Sequence, residues 1–233
     1  MNTIDVCLSP LLMPLYEVRD RTVVVVDILR ATSCMVTAFA HGAKSITPYS
    51  DVQDCRAAQS RGFITSGERD GLKIEGFDKG NSPFEYMGAE IRDRNIAFTT
   101  TNGTDAINRA SAAKRVVVGA FLNLSAVVQQ LIADQRSVLI VCAGWKGRVN
   151  LEDTLFAGAI VEHSQPYFEP ECDAPLAAQR LYNLARGDML TFLAGASHVK
   201  RLNRLEIHQD IAFCVTENTY QVVPSLVDGV LVA

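Results

Sequence analysis

A chain of 233 residues, 48% of them hydrophobic and 21% charged, can bury a sizeable core, as one compact α/β unit or as two intimately joined lobes, roughly 1–120 and 121–233. Its formal net charge of −4 and pI near 5.6 argue against nucleic acid as the main partner, and no apolar run reaches the length of a membrane span. The first residues lack a signal-peptide pattern and the six cysteines are scattered without a CxxC pair, so reduced thiols and a cytoplasmic location are expected.

Strand-like runs fall at Ile4–Leu8, Val23–Val26, Ser45–Pro48, Phe63–Thr65, Ile96–Thr99, Arg115–Val118 and Ser137–Val141. Several are continuously apolar, the mark of strands covered on both faces. Between them, Ala31–Ala40, Val52–Ser60, Asp105–Ala112, Leu122–Ala133 and Glu152–His163 have helical character, and Gly42, Gly62 and Gly119 stand where helices end or the chain turns. This alternation predicts a three-layer α/β/α fold with a mainly parallel or mixed sheet. Three prolines between Gln165 and Pro175 predict a loop. Asp173 is then placed to cap the first of three C-terminal helices, Asp173–Arg186, Asp188–Ala194 and His198–Leu205. The chain closes on an apolar stretch interrupted by a turn at Asp228-Gly229.

Chemistry-bearing residues cluster where apolar strands give way to helices, the edge of an open α/β sheet where ligands bind. Asp27 ends a run of four valines and is followed at once by Arg30, Thr32 and Ser33. It is either an N-cap or a carboxylate at the mouth of a buried strand, able to hold a metal or face a phosphoryl group. Thr100-Thr-Asn-Gly-Thr104 supplies more hydroxyls than a cap requires, and Gly103 would let the backbone approach an oxyanion. No GxxxxGK[ST] occurs, so a nucleotide P-loop is excluded. The charged, glycine-rich stretch from Gly67 to Pro83 contains Glu68, Arg69 and Lys73; it reads as a solvated loop or as a source of Mg²⁺ and phosphate ligands. Glu152 and Asp153 are equally first-turn helix residues or metal ligands.

Cys142 and Arg148 fit C-x₅-R, the spacing of cysteine-dependent phosphatases, but Val149 lacks the hydroxyl those enzymes place next. Haloacid-dehalogenase phosphatases need a second aspartate where Leu29 stands. The four histidines form no metal motif and read as capping or packing residues, while Trp145 either walls the pocket or packs over a helix.

Taken in order, Val26-Asp-Ile-Leu-Arg-Ala-Thr-Ser33, Gly67-Glu-Arg69, Lys73-Ile-Glu-Gly-Phe-Asp-Lys-Gly-Asn-Ser-Pro83, Thr100-Thr-Asn-Gly-Thr104, Cys142-Ala-Gly144 and Leu151-Glu-Asp153 resemble the 2-phosphosulfolactate phosphatase family. Asp210-Ile-Ala-Phe-Cys214 and Val222-Val-Pro224 extend the resemblance; residues Trp145 to Asn150 and Val199 depart from it. The resemblance implies an α/β phosphatase that uses Mg²⁺ to convert (R)-2-phospho-3-sulfolactate to 3-sulfolactate and phosphate, a step of coenzyme M biosynthesis in methanogens. It implies Asp27, Arg30, Glu68, Arg69 and Asp153 as catalytic residues, with Asp27, Glu68, Glu152 and Asp153 holding the metal. Substrate contacts would come from Thr32, Ser33, Lys73, Asn81, Ser82, Cys142, Gly144, Arg148 and the threonine-rich turn, Thr100, Thr101, Asn102, Gly103 and Thr104. The expected partner is a small phosphorylated sulfonate or hydroxy acid, and a homodimer is compatible with this reading. Two alternatives stay open here: a thiolate phosphatase built on Cys142 and Arg148, and a non-catalytic protein that binds small anions.

Overall fold

Valine is favoured in strands because its branched Cβ packs on a pleated surface, and the four-valine run forms the buried centre of the fold. The computed structural model describes residues 1–233. Its strands are β1 (Asn2–Cys7), β2 (Thr22–Val26), β3 (Ser45–Pro48), β4 (Ile64–Arg69), β5 (Leu72–Lys73), β6 (Asn95–Thr99), β7 (Arg115–Gly119), β8 (Val138–Cys142), β9 (Phe168–Pro170), β10 (Ser225–Val227) and β11 (Val230–Val232). The helices are α1 (Ala31–Ala40), α2 (Val52–Ala57), α3 (Gly103–Arg109), α4 (Leu124–Asp134), α5 (Leu151–His163), α6 (Asp173–Ala185), α7 (Met189–Leu193), α8 (Ser197–Asn203) and α9 (His208–Cys214). All five residues of β2 and of β8 are buried, so both faces of the sheet are covered and the three-layer α/β/α expectation holds.

The sheet runs β5-β4-β6-β3-β11-β10-β7-β2-β8-β1-β9. Two parallel blocks, β7-β2-β8-β1-β9 and β3-β6-β4, are bridged by the antiparallel hairpin β10–β11, which the turn at Asp228-Gly229 closes. The hairpin touches β7 only through Ser225↔Val117 and β3 only through Leu231↔Ile46, both antiparallel. Three successive reversals make the two blocks run in opposite directions. Residues that end or follow β2 in one block and β4 and β6 in the other nevertheless line one crevice.

Apolar burial holds the frame together. A core of 59 residues includes the whole valine run, and each such side chain contributes roughly 1.5–3 kcal/mol relative to exposure. Phe121 meets Phe156 edge to face with centroids 5.2 Å apart. Helix α5 lies so close to α6 that a Cβ on Gly158 would come within 2.0 Å of the Ala178 carbonyl oxygen; only glycine fits.

Three expectations need correction. Phe168–Pro170 pairs with β1 as an edge strand despite the prolines, because Pro170 is the strand's last residue at the sheet rim. Asp173 does not cap α6: it lies inside the first turn, after Cys172. Gly119 ends β7 against Phe156, whereas Gly42 and Gly62 do follow helical turns. No cysteine is paired, and no helix is long and apolar enough to cross a membrane.

Candidate active site

β2 delivers Asp27 to a crevice that it shares with Arg30, Glu68, Asn81, Thr101 and Asn102. The closeness of the two strand-end loops is set by Gly103: a Cβ there would lie 3.0 Å from Asp27 Oδ2 and 2.7 Å from Ala31 Cβ. The crevice is narrow, with about 30 Å³ open to the centre of a water-sized sphere, roughly two water positions.

Asp27 is almost fully buried, and its Oδ1 accepts a long hydrogen bond (3.4 Å) from the Ala31 amide. Burial pushes its carboxyl up from the usual 3.8 to about 6; His198 opposes the rise, while Glu68 and Glu152 add to it. Helix α1 starts beside it and turns the positive end of its dipole to the crevice. Thr32 and Ser33 are wholly buried, and their hydroxyls donate to the carbonyls of Asp27 (2.9 Å) and Ile28 (2.8 Å). They build the helix start and do not line the crevice.

Two of the four expected metal ligands are committed elsewhere. Glu68 accepts from the amides of Gly71 (2.7 Å) and Thr101 (2.8 Å), tying the β4–β5 turn to the threonine loop. Asp153 accepts from Ile28 (2.9 Å) and Gly144 (3.0 Å), stitching the ends of β2 and β8 together. Burial and the neighbouring Glu152 raise the Asp153 carboxyl well above its usual range, against the pull of those two amides. Glu152 differs: Oε1 lies 2.5 Å from His198 Nδ1, and Oε2 is buried with no partner.

No three His, Cys, Asp or Glu side chains form a ready metal cage. Mg²⁺ commonly binds through one or two carboxylates, completed by waters and substrate phosphate oxygens. Asp27 lines the crevice with the unpartnered Asn81 Oδ1 and Thr101 Oγ1, and the orphan Oε2 of Glu152 lies behind it within electrostatic reach of Asp27; hard oxygens of this kind suit such a cation.

Other expected residues are not brought in. Thr100 and Thr104 bond to each other's backbone. Ser82 donates to Asp210 (3.1 Å), which also forms a buried ion pair with Arg30. Arg69 turns back to the Glu68 carbonyl (2.7 Å) and Thr99 (3.0 Å), since adjacent strand residues face opposite ways. Lys73 and Arg148 are exposed and do not line the crevice. Cys142 is fully buried, and burial raises its thiol well above the ordinary range. With its arginine out in solvent, the thiolate alternative has neither of its two working parts.

Helix α8, which carried no sequence motif, contributes His198 and Arg201 to the crevice. His198 Nδ1 lies between Glu152 Oε1 (2.5 Å) and the Asn150 side-chain amide (3.1 Å), and Nε2 is the ring nitrogen without a protein partner. Trp145 is a pocket wall, and the Arg201 guanidinium stacks over it, 3.9 Å from the ring centroid. The i, i+3 spacing of His198 and Arg201 on a helix was the available signal.

A profile of the family described as 2-phosphosulpholactate phosphatase matches residues 7–229. The chain belongs to that family. It is a phosphoric monoester hydrolase. A similar protein of Thermotoga petrophila (strain ATCC BAA-488 / DSM 13995 / JCM 10881 / RKU-1), named "Probable 2-phosphosulfolactate phosphatase", is 40% identical over 219 residues, 94% of this chain and 95% of the relative. Proteins of the same name from Caldanaerobacter subterraneus subsp. tengcongensis and Symbiobacterium thermophilum are 36% and 38% identical over 92% and 94% of this chain, and 91% and 97% of their own lengths.

Proposed function

We propose that the protein hydrolyses (R)-2-phospho-3-sulfolactate to 3-sulfolactate and phosphate with Mg²⁺ bound at Asp27 and Glu152. The observation that carries this reading is the meeting of Asp27, the Thr101–Gly103 loop and two arginines in one narrow crevice. When bound, Mg²⁺ would supply Lewis-acid polarisation of the phosphoryl oxygens. Phosphoryl transfer otherwise asks mainly for positioning and charge neutralisation. Arg30, held by Asp210, and the N-terminal end of α1 neutralise the phosphate. Asp27 orients the attacking water through its crevice-facing Oδ2. His198, fixed by Glu152, would act as the imidazolium and donate its Nε2 proton to the ester oxygen that leaves as the hydroxyl of sulfolactate.

The clustered carboxylates favour this reading over a non-catalytic anion carrier, whose ligand they would repel. The test is phosphate release from a panel of phosphorylated hydroxy acids, with Mg²⁺ and with excess EDTA. The expected result is turnover of 2-phospho-3-sulfolactate above the rest, lost on chelation and restored by Mg²⁺. Tight binding of the ester without phosphate release under Mg²⁺ would sink the proposal, and so would full activity in EDTA.

A further inference from the structure

We infer that Arg201, stacked on Trp145, is the subsite that reads the substrate's sulfonate and so sets specificity among phosphate esters; this rests on the substrate class proposed above. Among the cations near the crevice, Arg30 is held by Asp210 at the phosphate end, and Lys146 Nζ is paired with Asp70 at 2.9 Å. Arg201 lines the crevice without a carboxylate in ion-pair range, and its Nη2 is buried with no hydrogen-bond partner. A buried donor without an acceptor is costly, and the indole offers a π-face but no lone pair to satisfy it. An incoming oxyanion would.

The fold carries this group on a different element from the phosphate end: Asp27 follows β2 and Arg30 precedes α1, whereas Arg201 is on α8, over Trp145. Trp145 is itself anchored: its turn closes through Trp145 N–Arg148 O (2.9 Å) and Arg148 N–Trp145 O (3.0 Å), and the Lys146 amide donates to Asn102 Oδ1 (3.0 Å). The platform beneath Arg201 is therefore tied to the same loop that faces Asp27, which fixes the spacing between two anion subsites. A guanidinium is weakly hydrated and forked, a match for the weakly basic, three-oxygen sulfonate at the far end of a short diacid ester.

Wild type, Arg201→Gln, Arg201→Lys and Trp145→Ala would be assayed on three esters: 2-phospho-3-sulfolactate, 2-phospholactate, which lacks the sulfonate, and 2-sulfoethyl phosphate, which lacks the carboxylate. The expected result is that the kcat/KM preference for 2-phospho-3-sulfolactate over 2-phospholactate collapses by about 10–100-fold in Arg201→Gln, with partial collapse in Arg201→Lys and Trp145→Ala. Preference for 2-sulfoethyl phosphate should collapse with it. An unchanged preference ratio in Arg201→Gln overturns the inference, as does a loss confined to esters bearing the carboxylate. Binding gives a readout independent of turnover, because Trp145 is the chain's single tryptophan. Adding 3-sulfolactate should change its fluorescence in wild type, with at least about 10-fold weaker affinity in Arg201→Gln; equal affinity overturns the inference even if catalysis fails. Should wild type cleave neither sulfonated ester yet show this Arg201-dependent binding, the proposed function falls and the subsite stands.

Discussion

Replacing Asp27 with Asn should destroy activity while making the protein more stable. The carboxyl's affinity for its proton is raised on folding from the usual 3.8 to about 6. At about 1.36 kcal/mol per tenfold change in proton affinity, holding Asp27 ionised costs the fold about 3 kcal/mol. The sign follows from which state binds the proton more tightly. Here it is the folded state, so the stabilising contribution is complete below about pH 4 and is lost as pH rises through about 6. Asn carries no charge and removes that loss. Thermal melts in EDTA should show Asp27→Asn above wild type at pH 8 by several degrees, at about 2–4 °C per kcal/mol for a chain of this size. The difference should shrink toward zero near pH 4. In parallel, wild-type kcat/KM should climb as Asp27 ionises around pH 6, a limb absent in the variant. A variant less stable than wild type by the same margin at every pH would refute the reasoning, as would one that keeps its activity.

The other predictions follow from contacts named above. Gly103→Ala places a methyl 2.7 Å from Ala31 Cβ and 3.0 Å from Asp27 Oδ2; it should cost about 1–3 kcal/mol in denaturant melts and about 100-fold in kcat/KM. Asp210→Ala leaves Arg30 buried without its partner and should destabilise the fold by about 3 kcal/mol in urea unfolding, with a raised KM for the ester. Cys142→Ala should keep wild-type kcat/KM and lose about 1–2 kcal/mol of stability, because the thiol is a buried packing group; iodoacetamide should not inactivate the native enzyme.

What could be read from the sequence was local. The valine run fixed where β2 would lie and that Asp27 would stand at its mouth, and the hydroxyl-rich turn after β6 was recognisable as the second wall. The expectation that all strand ends share one edge was too simple: the hairpin at Ser225–Val232 enters the middle of the sheet and reverses one block, which no local period announces. Hydroxyls were over-assigned, since Thr32, Ser33, Thr100 and Thr104 spend their bonds on nearby backbone, a competition that spacing alone cannot reveal. The carboxylates carry structural bonds that spacing does not announce either: Glu68 and Asp153 each accept from two amides. His198 was read as a capping or packing residue and Arg201 was not singled out, because α8 reaches the crevice only through tertiary packing. Arg69 and Lys73 were assigned by charge without regard to which way each strand residue faces.

A crystal structure with Mg²⁺, phosphate and 3-sulfolactate tests the central claim most directly. The phosphorus should lie in the crevice beside Asp27, against Arg30 and the Thr101–Asn102 loop, with the sulfonate oxygens on Arg201 above Trp145. Oxyanions seated at the Cys142–Arg148 turn, or anywhere outside this crevice while it holds only water, would contradict it.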